Sequence, residues 1–295
     1  MSDSMSNPLP YGGYYQNKIE AHDAEITHAG PGTPLGEYMR KFWHPVCLSE
    51  QLMDVPKAIR ILNEDLVAFR DRSGQVGVLN RHCSHRGTSL EFGIIQPKGI
   101  RCCYHGWVYD VDGSLLEAPA EPDDSPLYSR VCQGAYPAFE RDGLVFAFMG
   151  PPEEKPAFPE YDVYRYPAGN RLVAFSNIYP CNWLQVFENI MDHVHTAILH
   201  NNMTVESVDQ GLKEGLNFPE AFQDIPVMDW ERTRNGHGIT FIAGRRVDDD
   251  TIWVRMTEMI FPHLIQNANL MPTAHEVRHT SVCMTRWHVP VDDTN

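Results

Sequence analysis

The chain is 295 residues long, carries a formal net charge of −15 and is 42% hydrophobic. The charge argues against nucleic acid and anionic membrane as partners and suits an acidic enzyme that docks a basic protein. No apolar run approaches the ~20 residues of a membrane helix. Met1 to Pro10 is polar and lacks the basic and apolar regions of a secretory signal, so the expected location is cytoplasmic.

The length suggests about two domains. Residues 1–30 read as an N-terminal tail without period. Pro31-Gly32-Thr33-Pro34 then opens a short helix, Leu35 to Phe42, with Thr33 or the proline at its start. From Trp43 to about Gly150 the pattern is β. Ile59–Leu62, Leu66–Arg70 and Val76–Leu79 are short apolar or alternating runs, punctuated by Asn63-Glu64-Asp65 and Asp71-Arg72-Ser73-Gly74 as turns. Trp107–Tyr109 followed by Asp112-Gly113 signals another hairpin, and Leu144–Phe148 is the last strand of this part. Gly150–Pro156 holds three prolines among charges and reads as a stiff linker. Beyond it the chain mixes strands at Leu172–Tyr179, Ile239–Ala243, Ile252–Met256 and Ser281–Val289 with one helix from about Trp183 to Leu199. The expected fold class is α+β: a small all-β domain over residues 31–150, a linker at 151–160, and an α+β domain at 161–295.

Two short pairs stand out in the β part. Cys83-Ser84-His85 is followed after sixteen residues by Cys102-Cys103-Tyr104-His105. Structural zinc sites with two Cys and two His usually run Cys–Cys and then His–His. Alternating pairs suit a Rieske [2Fe–2S] centre, in which one iron takes two Cys and the other two His. A zinc site, or unrelated Cys and His, is the alternative. The glycines that follow each pair, Gly87 and Gly106, let backbone approach closely. The seven cysteines show no disulfide spacing, and those outside the pairs read as buried small apolar residues.

Cys83-Ser84-His85-Arg86-Gly87 and Cys102-Cys103-Tyr104-His105-Gly106-Trp107 closely resemble the Rieske motif of aromatic ring-hydroxylating oxygenases. The resemblance implies Cys83, His85, Cys102 and His105 as cluster ligands. Cys102 is preferred to Cys103 because the second pair must be Cys-x-x-His.

The helix of the second part carries Glu188, Asp192, His193, His195 and His200 within thirteen residues. Taken alone this is either a metal site or a polar helix face. Two His and a carboxylate with open positions is the non-haem Fe(II) arrangement that activates O₂. The family pattern Asp-x-x-His-x-x-x-x-His is matched by Asp192, His195 and His200. The resemblance implies His195 and His200 as iron ligands and Asp192 as the bridge to a Rieske histidine of a neighbouring subunit. It places Asn189 where relatives keep a nearby, weak or non-binding amide. His193 lies outside the pattern and reads as ordinary. On an ideal α-helix, at ~100° per residue, His195 and His200 would stand roughly 140° apart, so both reach one iron only if the helix widens or breaks. Residues 195 to 200 are therefore expected not to be regular α-helix.

The family takes its third ligand from a helix far downstream, and 95 residues follow His200 here. The expectation is a C-terminally truncated chain with an incomplete helix-grip-like catalytic domain, the third ligand missing or borrowed. Asp248, Asp249, Asp250, Asp292 and Asp293 are available carboxylates but read as solvated turns.

His28 to Val46 and Val289–Thr294 also resemble the phthalate 4,5-dioxygenase-like and aromatic O-demethylase branch. That branch implies hydroxylation or O-demethylation of a small aromatic, often an acid. It also implies a flavin and iron–sulfur NAD(P)H reductase as electron donor, O₂ as co-substrate, and a homo-trimer or hexamer. Arg245, Arg246 and Arg255 are candidates to bind a substrate carboxylate, against the simpler reading of solvent-facing strand arginines. The alternatives are a Rieske electron carrier and a non-catalytic chain that lacks the third ligand.

Overall fold

The computed structural model describes residues 10–11, 14, 22–165, 171–200, 224–246, 248–250, 252–268 and 282–295. Two short helices, α1 (Ala24–Thr27) and α2 (Pro34–Met39), precede the first strand. The expected tail thus contains a helical turn, capped by Asp23. Thr33 caps α2 through its hydroxyl, which accepts from Gly36 N–H at 3.1 Å, and proline occupies the first turn, where its missing N–H costs nothing.

The β part is built from three small antiparallel sheets. β1 (Trp43–Leu48), β10 (Ala138–Arg141) and β11 (Leu144–Phe148) form one, in the order β1-β11-β10. β2 (Lys57–Ile61), β3 (Glu64–Arg70), β4 (Val76–Asn80) and β9 (Ala135–Tyr136) form the second. β5 (Ile94–Ile95), β6 (Ile100–Arg101), β7 (Val108–Tyr109) and β8 (Leu115–Glu117) form the third. A third short helix, α3, covers Leu127–Arg130.

The β2–β3 turn falls at Leu62 and Asn63, earlier than the polar run Asn63–Asp65 suggested. Both residues have positive φ, 48° and 63°, as a two-residue type I′ hairpin needs. A leucine is an unusual choice there, since Cβ crowds the backbone. Its side chain is fully buried, and Pro290 and Val291 carbonyls accept the N–H groups of Leu62 and Asn63 at 2.9 Å. Tertiary contacts, not local propensity, hold this turn.

In the second part α4 (Trp183–Asn189) is followed by a broken stretch and a π-helical segment, Thr196–His200. Five strands then form an antiparallel meander: β12 (Val227–Arg232), β13 (Gly238–Arg246), β14 (Ile252–Ile260), β15 (Leu264–Ala268) and β16 (Val282–Trp287). The architecture is α+β, with sheet predominating. β12 and β15 were not expected. The expected strand Ser281–Val289 is shorter; Ser281 lies outside the described residues and His288–Val289 leave the sheet. Leu172–Tyr179 is not a strand. It has no regular structure, and Val173 and Ile178 are exposed; β-propensity becomes a strand only where an edge is free to pair.

Two buried clusters position the functional residues. One packs Val67, Phe69, Leu79, Leu90, Ile100, Trp107 and Tyr109 between the second and third sheets, with Cys83 and Cys102 among them. The other runs from Met39, Leu62 and Leu66 to Trp183 and Phe187 of α4 and to Met259 and Ile265 of the meander. Each fully buried aliphatic or aromatic side chain here stabilises the fold by about 1.5–3 kcal/mol.

Candidate metal centres

The two Cys/His loops have the same backbone. In the first, Cys83 N–H donates to Thr88 O at 2.9 Å and Gly87 N–H donates to Cys83 O at 2.8 Å. In the second, Cys102 N–H donates to Trp107 O at 2.7 Å and Gly106 N–H to Cys102 O at 3.1 Å. Gly87 and Gly106 take φ of 72° and 76°, which only glycine adopts without strain. Each loop therefore closes on itself five residues after its cysteine. The histidine sits two residues on in one and three in the other.

The four side chains form two poles. Cys83 and Cys102 are each 3% exposed and lie in the apolar cluster. Burial pushes the Cys102 thiol up, while the Tyr104 and His105 backbone N–H groups pull it down. His85 is half-buried and His105 exposed; their ring centroids are 4.7 Å apart. Trp107 stacks flat on His85, at 4.4 Å and 2°. Burial, then His105 and Arg86, lower the His85 pKa. Among the described residues no group of three His, Cys, Asp or Glu is placed to hold a single ion. A buried sulfur pole and an exposed imidazole pole fit two bridged irons, one per pole, better than one tetrahedral zinc.

Two residues around the sulfur pole, Tyr109 and Gln133, were not singled out from sequence. Tyr109, fully buried, places its hydroxyl 3.2 Å from Cys83 Sγ and 2.9 Å from Ser84 Oγ. Gln133, 2% exposed, bonds the backbone of residues 80, 82 and 84. Cys47 is buried as expected, but Cys103 and Cys132 are exposed, a correction to the reading of all remaining cysteines as core residues. Short loops turn alternate side chains outward, and an unpaired Cys follows that geometry.

The second site starts at Asn182, whose side chain accepts from Leu184 N–H at 3.1 Å and starts α4. The helix does not run on to Leu199 as expected. It stops at Asn189, and Asp192 restarts the chain: its Oδ1 accepts Val194 N–H at 2.8 Å and His195 N–H at 3.2 Å, and its Oδ2 lies 3.4 Å from His195 Nδ1. Burial works to raise the Asp192 pKa, but these donors outweigh it and the carboxyl ends below its usual range. From Thr196 the helix is π, so regular α-helix is absent between His195 and His200, as expected. A π-turn closes over five residues, the separation of these two histidines. Asn189 ends α4 and its carbonyl accepts from Asp192 N–H at 3.3 Å.

His193, expected to be an ordinary residue outside the ligand pattern, has a structural setting. It is buried, with Nδ1 3.1 Å from Met191 O and Nε2 3.3 Å from Thr257 Oγ1 on β14, and burial lowers its pKa. Arg245 is 2% exposed and structural: Nη2 donates to His193 O at 3.2 Å and to Thr196 Oγ1 at 2.9 Å, and Nε to Asp224 O at 3.0 Å. That removes it as a substrate anchor. Arg246 is exposed and donates to Asp249 O at 3.1 Å. Arg255 pairs with Ala243 across β13–β14, two residues from Thr257, and so lies on the face turned to His193. Asp293 accepts Ala29 N–H at 2.8 Å and ties the two ends of the chain together, while Asp292 caps the turn to Asn295 and Asp248 accepts Asp250 N–H at 2.9 Å within their own turns.

Fold and loops together define a protein built around a Rieske domain, and residues 42–136 match the Rieske [2Fe-2S] domain family. The chain is 58% identical over 286 residues to the tert-butanol monooxygenase / tert-amyl alcohol desaturase oxygenase subunit of Aquincola tertiaricarbonis, covering 96% of this chain and 61% of that protein. It is 38% identical over 310 residues to the phenoxybenzoate dioxygenase subunit alpha of Ectopseudomonas oleovorans, covering 98% of this chain and 71% of the relative. The fold matches dicamba monooxygenase bound to dicamba at a TM-score of 0.59 and 20% identity, over 78% of this chain and 66% of that one. The chain belongs to the Rieske oxygenase alpha-subunit family.

Proposed function

We propose that the chain is the oxygenase component of a Rieske non-haem iron system. Cys83, His85, Cys102 and His105 hold a [2Fe–2S] cluster, and His195 and His200 hold a mononuclear iron. The cluster supplies single electrons, and the iron supplies O₂ activation beside a bound substrate. The buried cysteines keep the sulfur pole from water, and the exposed imidazole pole presents the surface through which a partner is reached. The Asp192 carboxylate, 3.4 Å from His195 Nδ1, favours the ring orientation that leaves the other nitrogen for the metal. Its side chain is 50% exposed, which leaves it open to a Rieske histidine of a neighbouring copy in a trimer or hexamer.

The observation that carries this reading is the π-helical segment directly after His195. An electron carrier needs no second metal and no such break. The donor is a flavin and iron–sulfur NAD(P)H reductase, and the cytoplasm is the expected setting. No helix among the described residues is long and apolar enough to cross a membrane.

The substrate class follows two lines. Most relatives are named for aromatic substrates, among them phthalate 4,5-dioxygenase at 35% identity, and Arg255 on the His193 face is then the cation for a carboxylate. The 58% identity to a tert-butanol monooxygenase subunit favours a small tertiary alcohol as the second reading. Iron and acid-labile sulfide per chain test the metal assignment: three irons with two sulfides are expected, and two with two leave a cluster-only protein. Substrate-dependent O₂ uptake with reductase, comparing phthalate-type acids with tert-butanol, separates the two substrate classes.

A further inference from the structure

The Gln133 side chain is fully spent on the first ligand loop. Its Nε2 donates to Asn80 O at 2.7 Å and His82 O at 2.9 Å, and its Oε1 accepts Ser84 N–H at 2.8 Å. Two partners are carbonyls and one is an N–H, so only one orientation of the amide satisfies all three. Gln133 is itself fixed by its N–H to Gly113 O at 2.8 Å. The approach at Gly113 is so close that a Cβ there would lie 2.1 Å from the Gln133 carbonyl oxygen. Cys83 thus sits inside a clamp that grips the residues on both sides of it.

The clamp sets where Ser84 points. Ser84 Oγ is 2.9 Å from Tyr109 OH, which is 3.2 Å from Cys83 Sγ. A ligating thiolate has no proton to give, so the Tyr109 hydroxyl donates to Sγ. Having one proton, it can only accept from Ser84, whose hydroxyl therefore donates to it. Such a chain is polarised in one direction, and each bond strengthens the next.

We propose that Ser84 and Gln133, neither of them a ligand, are positioning residues that raise the reduction potential of the cluster by aiming the Tyr109 proton at the Cys83 sulfur. Hydrogen bonds to the sulfurs are among the determinants of iron–sulfur potentials, because they favour the more negative reduced form. The inference rests on the proposed ligand assignment.

The test is a redox titration of the cluster-loaded protein, followed by its visible circular dichroism. Tyr109→Phe is expected to lower the midpoint potential, and Ser84→Ala to lower it by less. Ser84→Ala added to Tyr109→Phe is expected to change nothing further, because the serine acts only through the tyrosine hydroxyl. Gln133→Met is expected to lower the potential in the wild-type background and not in Tyr109→Phe. A Ser84→Ala potential equal to wild type, or a shift that persists undiminished beside Tyr109→Phe, overturns the relay. If Gln133→Met does not load its cluster, the serine cycle alone decides. A wild-type protein without a Rieske spectrum overturns the ligand assignment itself, which separates the two failures.

Discussion

Asp192 holds His195 twice: one carboxylate oxygen accepts its backbone N–H at 3.2 Å, and the other lies 3.4 Å from ring Nδ1. The same group therefore restarts the helix and orients the imidazole. Asp192→Asn keeps a capping oxygen but removes the charge beside the ring. We expect the cluster spectrum and urea midpoint to stay near wild type while substrate-coupled O₂ uptake falls roughly tenfold or more, equivalent to about 1.4 kcal/mol at the transition state. Asp192→Ala should in addition lose about 1 kcal/mol of stability with the cap. Full turnover in the Asn variant would remove the carboxylate from the mechanism.

Arg245 reaches from β13 to the break before the π-helix. Arg245→Lys cannot reproduce the bond from Nε to Asp224 O together with the bonds from Nη2 to His193 O and Thr196 Oγ1. We expect a loss of about 1.5–3 kcal/mol in chemical denaturation. Mononuclear iron retention should weaken while the acid-labile sulfide content stays unchanged. An effect confined to KM for acidic substrates would instead return Arg245 to the role of substrate anchor.

Cys102 and Cys103 are neighbours with opposite surroundings, the first in the apolar core and the second exposed. Cys102→Ser should abolish the visible and electron paramagnetic signature of the cluster. Cys103→Ser should leave both as in wild type. Loss of signal in the second variant would reverse the ligand choice.

Two buried histidines and one half-buried histidine lie where α2, β1 and the meander meet. His44 and His263 lie with ring centroids 4.7 Å apart, and His288 follows β16. Burial lowers His44 to about 4, with the Met39 carbonyl opposing and Arg40 assisting. It also lowers His288 to about 4, and His263 well below its ordinary value, with the charges of His44 and His288 acting in the same direction. Folded chains thus keep these rings neutral where unfolded chains bind protons below about pH 6.5. Stability is full above that pH and falls as pH drops toward 4, by up to about 1.4 kcal/mol per pH unit for each histidine. Urea midpoints measured between pH 7.5 and 5 should show this fall, and His44→Gln should reduce its slope. A flat profile would mean that the rings are not buried neutral.

Much of the candidate cluster site was legible because the proposed ligands are spaced within two short loops. The π-segment was legible for a related reason: two histidines five apart cannot share an ion on an α-helix. The roles of Arg245, His193 and Gln133 were not legible. Arg245 acts on residues 49 and 52 positions away, and Gln133 on residues 49 to 53 positions away. No local pattern distinguishes such side chains from solvent-facing polar ones. The Leu172–Tyr179 segment failed as a strand for the same reason, since pairing is a property of two segments.

By itself, then, the sequence determined the β character of the first part, the pairing of Cys and His in two short loops and the break ahead of the π-helical segment, which follow from residue pattern and angular spacing along one stretch of chain. The tertiary structure decided which pole of the Cys/His quartet is dry, which arginine is structural, which buried amide grips the first loop and which buried hydroxyl faces the Cys83 sulfur. Burial and hydrogen-bond partners exist only once distant segments have been brought together.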